Sequence, residues 1–476
     1  MGQEIDAARF SKRDFEAFHT RLRDETQLLR QWFAERRFGN DCTAGGFELE
    51  VWLVDGHGWP APINARFIEA MASPLVTPEL ASFNIEFNYT PQTLTGTALD
   101  TLQQEMQQLW DTGNRTAADL DSQLVMIGIL PTVRNEDLTM KHISGMKRYQ
   151  ALNEQVLRLR QGRPLELSIY GEEQLHSIHK DVMLESAATS FQIHMQVPLD
   201  QAVRIFNTSV IISAPMVAVS ANSPFMFGKS LWAETRIPVF EQAVELGGYE
   251  AGARGPMRRV TFGSGYVRES LLELFVENLE HYPVLLPMRL DEDPAHFAHL
   301  RLHNGTLWRW NRPLIGMENG QPHLRIEHRV VPAGPSIIDA MANAAFYYGL
   351  AQFLGTRPTA PESQLPFELA RDNFYRAAQH GLDAQCTWLD GRKLNMQTLI
   401  LDQLLPMAQR GLEQLAITQS AIDRYLGIIE TRTKHNCNGA QWQRAFVAKH
   451  GADMQALVKA YLQHQNSGEP VHDWGL

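Results

Sequence analysis

Gly46-Phe-Glu-Leu-Glu-Val-Trp52, read as GFELEVW, sets how the rest of this sequence is understood. Side chains alternate across a β-strand with a period of two. Phe47, Leu49 and Val51 therefore share one face, and Glu48 and Glu50 share the other. Three further stretches sort in the same way. In SFNIEFNY, 82–89, Phe83, Ile85 and Phe87 oppose Asn84, Glu86 and Asn88. In SFQIHMQV, 190–197, Phe191, Ile193, Met195 and Val197 oppose Gln192, His194 and Gln196. In LRIEHRV, 324–330, Leu324, Ile326, His328 and Val330 oppose Arg325, Glu327 and Arg329.

Each strand offers an apolar face to a layer of helices, and a second face of carboxylates, amides, imidazole or guanidinium. A sheet with one wetted side would read similarly. A wetted face usually mixes Lys, Thr and Ser with its acids, whereas these four carry no Lys and each supplies a ligand for a hard metal. Carboxylates crowded together repel and take up protons unless a cation neutralises them. Oxygen ligands with an occasional His suit Mg²⁺ or Mn²⁺. Glu79, seven residues before Glu86 in TPELASFNIE, adds another carboxylate. Arg325 and Arg329 flank Glu327, an odd choice for a pure cation site. Guanidinium matches phosphate oxygens in a forked geometry, so these two arginines point to a phosphoryl group held beside the metal. Metal carboxylates next to such arginines point to phosphoryl transfer from a nucleotide.

The surrounding chain is consistent with a large folded enzyme. It has 476 residues, 44% of them hydrophobic, and a net charge of −11. That balance argues against general nucleic-acid binding, which needs a cationic footprint. Cys42, Cys386 and Cys437 are far apart and form no CxxC pair, so neither a disulfide framework nor a zinc site is expected. The charged start, MGQEIDAARFSKRDF, lacks the apolar core of a signal peptide. No run reaches about 18 uninterrupted apolar residues. A cytoplasmic protein without a membrane partner is the expectation, and a homo-oligomer is left open.

Helical spacing covers 11–37, with Ser11 and Asp14 as a capping box, and also 98–121, 148–162 and 200–220. QLVMIGIL, 123–130, reads as a buried strand. Asn304–Gly305 and Asn319–Gly320 are hairpin signals, predicting an antiparallel meander over about 298–303, 306–315 and 323–331. Ser336 caps a long apolar helix. TRPTAPESQLP, 356–366, is the one linker-like composition. It divides a catalytic unit, 1–355, from a mostly helical part, 356–476, packed on the same unit.

The ordered pieces GFELE (46–50), IEFNYTP (85–91), FQIHMQV (191–197), SANSPF (220–225), IEHRV (326–330) and NGAQW (438–442) resemble the glutamate–cysteine ligases of the second bacterial class, relatives of glutamine synthetase. The resemblance implies an α+β protein whose curved antiparallel sheet forms an open funnel with helices packed outside. It implies ATP in one mouth and Mg²⁺ (or Mn²⁺) between it and an acid substrate. By position, Glu48, Glu50, Glu79, Glu86, His194 and Glu327 match the metal ligands. Arg329 matches the arginine that steadies the transferred phosphate, and Arg236 one that contacts substrate or phosphate. The implied reaction joins a small carboxylate to a small amine, with ATP activating the acid as an acyl phosphate. A kinase acting on a carboxylate or guanidino group, and a non-catalytic regulatory member of the family, are the alternatives.

Other features carry a bland reading beside the functional one. Arg148–Tyr149 resembles a recurrent family pair or starts a helix. The glycine-rich TFGSGYVRES, 261–270, lacks the Lys–Ser/Thr of a phosphate-binding loop and reads as an ordinary turn. Arg312 is either a carboxylate clamp or a buried ion pair. His328, on the apolar face, reads as a core histidine. His176 and His179 share no metal spacing with His194, and SIHKDVMLESAATS reads as a loop or lid. Asn373, Arg376 and Gly381 read as helix capping and packing.

Overall fold

A computed structural model describes residues 9–39, 43–246, 258–318 and 320–476. Cys42 and Asn319 lie outside the described residues. The centre is a curled, antiparallel, eight-stranded sheet. Its strands are β1 (Ala44–Asp55), β2 (Val76–Pro78), β3 (Asn84–Asn88), β4 (Gln92–Thr93), β5 (Ser122–Val125), β8 (Phe191–Val197), β9 (Asn311–Glu318) and β10 (Gln321–His328). A separate hairpin holds β6 (Leu165–Tyr170) and β7 (Gln174–His179). The order across the sheet is β9-β10-β8-β1-β3-β2, with β4 and β5 also paired to β1. The GFELEVW strand, β1, therefore lies inside the sheet, between β8 and β3.

The apolar faces do what alternation requires. Phe47, Leu49, Val51, Ile85, Phe87, Phe191, Ile193, Met195, Leu324 and Ile326 are buried in one core. Two apolar helices, Ala202–Ser220 and Ile337–Thr356, pack in that core and against each other. Each large aliphatic or aromatic side chain so buried contributes about 1.5–3 kcal/mol. The segment Leu199–Ser220 is long and apolar enough to cross a bilayer by length and composition, yet it is a core helix here, 89% buried inside the protein. Ser336 caps the second helix as expected, accepting from the Asp339 amide. The capping box at Ser11 and Asp14 opens the helix Lys12–Ala34.

Gly45 lies within β1 because nothing larger fits. A Cβ there would sit 2.5 Å from the Tyr348 hydroxyl. That hydroxyl instead donates to the carbonyl oxygens of His194, at 3.0 Å, and Gly46, at 3.4 Å, tying the second helix to β1 and β8.

Three expectations are corrected. Residues 298–303 are not a strand, since Ala298–Asn304 is a helix. Asn304–Gly305 makes no hairpin; Gly305 has φ −63° and caps that helix, while the Asn304 amide donates to Pro313 O at 2.9 Å. The 319–320 hairpin does form, with Glu318 paired to Gln321 and Gly320 at φ +77°. The strand expected over 123–130 stops at Val125. The segment expected as a loop or lid ends β7 and continues into the 3₁₀ turn Val182–Ala187, in which only Glu185 is not buried.

Beyond residue 366 the chain is mostly helical. It is tied back to the sheet: Gln465 accepts from Met126 N at 2.8 Å and donates to Leu124 O at 2.9 Å, and Tyr461 donates to Met126 O at 2.7 Å. Arg432 donates to Asp339 at 2.7 Å, on the apolar helix that opens at Ile337.

Candidate active site

Register converts the four alternating stretches into one surface. Glu50 lies opposite Glu86, and Glu48 opposite both Asn88 and Gln192. His194 lies opposite Glu327, and Glu327 opposite Arg312. Residues opposite one another share a face, so Glu48, Glu50, Glu86, His194, Arg312 and Glu327 share one wall. Glu48, Glu50, Arg312 and Glu327 line a cavity of about 440 Å³ that also reaches Arg325, Arg329, Glu79, Arg148 and Glu185.

At one end the charges are matched. Arg312 grips Glu327 with both forks, Nε to Oε2 at 2.7 Å and Nη2 to Oε1 at 2.8 Å. Arg329 donates to the same Oε2 at 3.2 Å and to Gln192 Oε1. Burial alone would push the Glu327 carboxyl up, but Arg312 and Arg329 outweigh it and hold the pKa far below the usual range. Arg312 is thus a buried ion pair that also lines the cavity. Glu327 Oε1, with one donor only, retains a lone pair. His194 Nε2 lies 3.8 Å from that oxygen and 3.6 Å from Glu48 Oε1. Burial and Arg325 push the His194 imidazole down to about 3, so the ring is neutral and able to ligate.

Toward the other end the acids outnumber their partners. Burial, reinforced by Glu86 and Glu327, pushes Glu48 up to about 8. Glu79 is raised well above the usual range by burial, Glu86 and Glu50, and burial with Glu50 lifts Glu185 to about 8. Glu50 is engaged, accepting from Ser190 N at 2.7 Å and Gln192 Nε2 at 2.8 Å. Glu86 accepts from Thr77 at 3.2 Å and Asn88 at 3.1 Å. Arg148 sits on this side, its guanidinium 4.5 Å over the Tyr149 ring and bonded to that hydroxyl at 2.8 Å.

The residues fit a hard divalent cation. Ligand atoms of Glu48, His194 and Glu327 lie within 4.8 Å of one another. Glu48 Oε2 and His194 Nε2 are buried without a hydrogen-bond partner, as expected of ligand atoms that face a cation. Glu50, Glu79 and Glu86 share the wall, but they do not converge with a third ligand in this way among the described residues. The Nε donors of Arg325 and Arg329 are likewise buried without an acceptor, which suits an anionic group beside the cation.

Several candidates stand elsewhere. Arg236 is not brought to the cavity. It lies behind the wall, donating to Glu234 at 3.1 Å, to Arg329 O at 3.2 Å and to Val330 O, with its guanidinium 5.3 Å from the Trp310 ring centre. His328 is a core histidine, stacked 4.4 Å from Tyr347 and paired with Asn311. In the turn at 261–270 the amides of Arg268, Glu269 and Ser270 are taken by Glu273. Asn373 holds both the N–H and the carbonyl of Thr387. Glu185 escaped sequence reasoning. It sits on a short 3₁₀ turn where no period of two or 3.6 marks it.

The sequence profile of glutamate–cysteine ligase family 2 (GCS2) matches residues 45–465, which takes in every strand and helix that lines the site. The chain belongs to that family. Membership makes it a ligase, of the broad carboxylate–amine class. Among solved structures it is similar to the glutamate–cysteine ligase of Francisella tularensis in complex with AMP, with TM-score 0.54 and 11% identity over 90% of each chain. It is also similar to a bifunctional glutathione synthetase from Pasteurella multocida, with TM-score 0.54 and 12% identity over 94% of this chain and 55% of that one. At such identities the likeness shows the fold. Comparison with curated protein sequences returned no significant match.

Proposed function

We propose that this chain is an ATP-dependent ligase that joins a small acid to a small amine through an acyl phosphate, in the manner of a glutamate–cysteine ligase. The observation that supports it is that Glu48, Glu327, Arg312, Arg325 and Arg329 line one cavity, with His194 beside Glu48 and Glu327 in its wall. A carboxylate oxygen is a poor leaving group and phosphate a good one. Transfer of the γ-phosphoryl group of ATP to the acid releases ADP. The amine nitrogen then attacks the acyl carbon, loses a proton, and expels phosphate to leave an amide.

Glu48, His194 and Glu327 would hold a divalent cation, which would supply positive charge against the phosphoryl group being transferred. The chain's own share is positioning and charge. Arg312 and Arg329 keep Glu327 ionised, so it remains an anionic ligand at neutral pH. Gln192 and Glu327 hold the Arg329 head in place, leaving its Nε toward an anion. Arg325 adds a second guanidinium on the same wall. Glu50 and Glu86 continue the acidic wall beyond that group. Arg236 acts through Arg329, by fixing the backbone that carries it.

The test is ADP release from purified protein given ATP, Mg²⁺, and acids paired with amines, glutamate and cysteine first. Release should require metal, acid and amine together, with an amide found by mass spectrometry. A stable phosphorylated acid with no amine incorporated would make it a kinase. Failure to bind ATP with Mg²⁺ in calorimetry would end the enzymatic reading.

A further inference from the structure

Glu185 is a carboxylate held at the cavity by a turn whose apolar side chains are packed in a hydrophobic core. Its 3₁₀ turn, Val182–Ala187, buries Val182, Met183, Leu184, Ser186 and Ala187. The turn is pinned at both ends: Asp181 accepts from Met183 N at 3.1 Å, Asn153 accepts from Val182 N at 3.1 Å, and Ser186 donates to Met183 O at 2.7 Å. Only Glu185 opens onto the cavity. Its carboxylate has no hydrogen-bond partner among the described residues, and the charges that bear on it most are Glu50, Arg329 and Arg148. Arg329 is committed to Gln192 and Glu327, and Arg148 donates to Tyr149. A half-buried carboxylate that lines a cavity with no donor beside it is under-compensated, so the position suits a positively charged ligand.

That ligand is better an ammonium group than a metal ion. A metal needs several ligand atoms converging on a point, and Glu185 belongs to no such group among the described residues. One or two charge-assisted hydrogen bonds suffice to hold an ammonium.

We propose that Glu185, flanked by Glu79, receives the ammonium form of the amine substrate and so selects the amine of the ligation; the nitrogen gives up one proton to solvent before it attacks the acyl carbon. This rests on the ligase reading above. The test is thermal unfolding of the full chain, with ATP and Mg²⁺, in the presence of each common amino acid and of simple alkylamines such as ethylamine. At least one amine should raise the midpoint of the wild type, and its hydroxy counterpart, lacking the ammonium, should not. In Glu185→Gln the apparent affinity for that amine should fall at least tenfold, and in Glu185→Asp by less. The apparent affinity for Mg²⁺ should hold in both. No protection of the wild type by any amine, or protection undiminished in Glu185→Gln, overturns the proposal. Loss of Mg²⁺ protection in that variant also overturns it, in favour of a metal ligand. The ligase reading fails separately: amine protection without ADP release sinks the ligase alone, and ADP release with a Glu185-independent amine KM sinks the subsite alone.

Discussion

The two ends of the cavity hold the same chemical group in opposite condition. At one end Glu327 is gripped by Arg312 and Arg329 and stays ionised. At the other, Glu79 and Glu185 lie near Arg148 with no hydrogen-bonded cation among the described residues, and their carboxyls are pushed up. Burial is common to both, so it does not explain the difference; the guanidinium groups do. The chain supplies the counter-charge where a carboxylate must be permanently anionic. It leaves the charge open where a metal ion or a substrate brings its own.

The sharpest way to break this comparison is to remove the matched acid. Glu327→Ala should lower kcat/KM by about 10³-fold or more. It also strands Arg312 and Arg329 and should cost about 3–5 kcal/mol of stability, read by denaturant unfolding. A variant that keeps full turnover would mean that this end is structural. Arg329→Lys comes next. A lysine keeps the charge but cannot span Gln192 and Glu327 together, so kcat should fall by about 10²-fold, with the fold retained by circular dichroism.

The carboxyls that no guanidinium grips predict a pH effect of defined sign. Glu48 and Glu185 sit at about 8 when folded, against about 4.3 unfolded. Their contribution to stability is full below the unfolded value and is lost as pH rises toward 8. The metal-free midpoint should therefore fall from pH 5 to pH 8, and saturating Mg²⁺ should flatten the slope. Glu327 is shifted the other way, and its contribution is lost only as pH falls below about 4, outside this window. A metal-free profile flat across that range would refute the assignment. The smallest effect lies outside the cavity. Gly263 has φ +115° in the glycine-rich turn. Gly263→Ala should cost about 1 kcal/mol and leave the KM for ATP unchanged in steady-state assays.

How much of this the sequence disclosed follows from which signals are local. Alternation in 46–52, 82–89, 190–197 and 324–330 assigned Glu48, Glu50, Glu86, His194 and Glu327 to one face, because a strand's period depends on nearest neighbours alone. His328 was separable from Glu327 by the same rule. Asn304–Gly305 misled because the identical dipeptide also ends a helix, and contacts with Pro313 and Asn278, distant in sequence, decide between the two. Arg236 could not be told from a phosphate-binding arginine, since two of its acceptors are backbone carbonyls 93 and 94 residues away. Glu185 was invisible for a related reason: a single 3₁₀ turn has no period long enough to read.

The strand order has a kinetic corollary. Glu48, His194 and Glu327 come from β1, β8 and β10, which are adjacent in the sheet yet far apart along the chain. Closing such loops is paid in entropy before any contact rewards it, which puts the chain among the slower folders. The last of these pairings to form must also drive acids together against their repulsion. Refolding should therefore quicken in dilute Mg²⁺, because the ion that the finished wall is shaped to hold also eases its assembly.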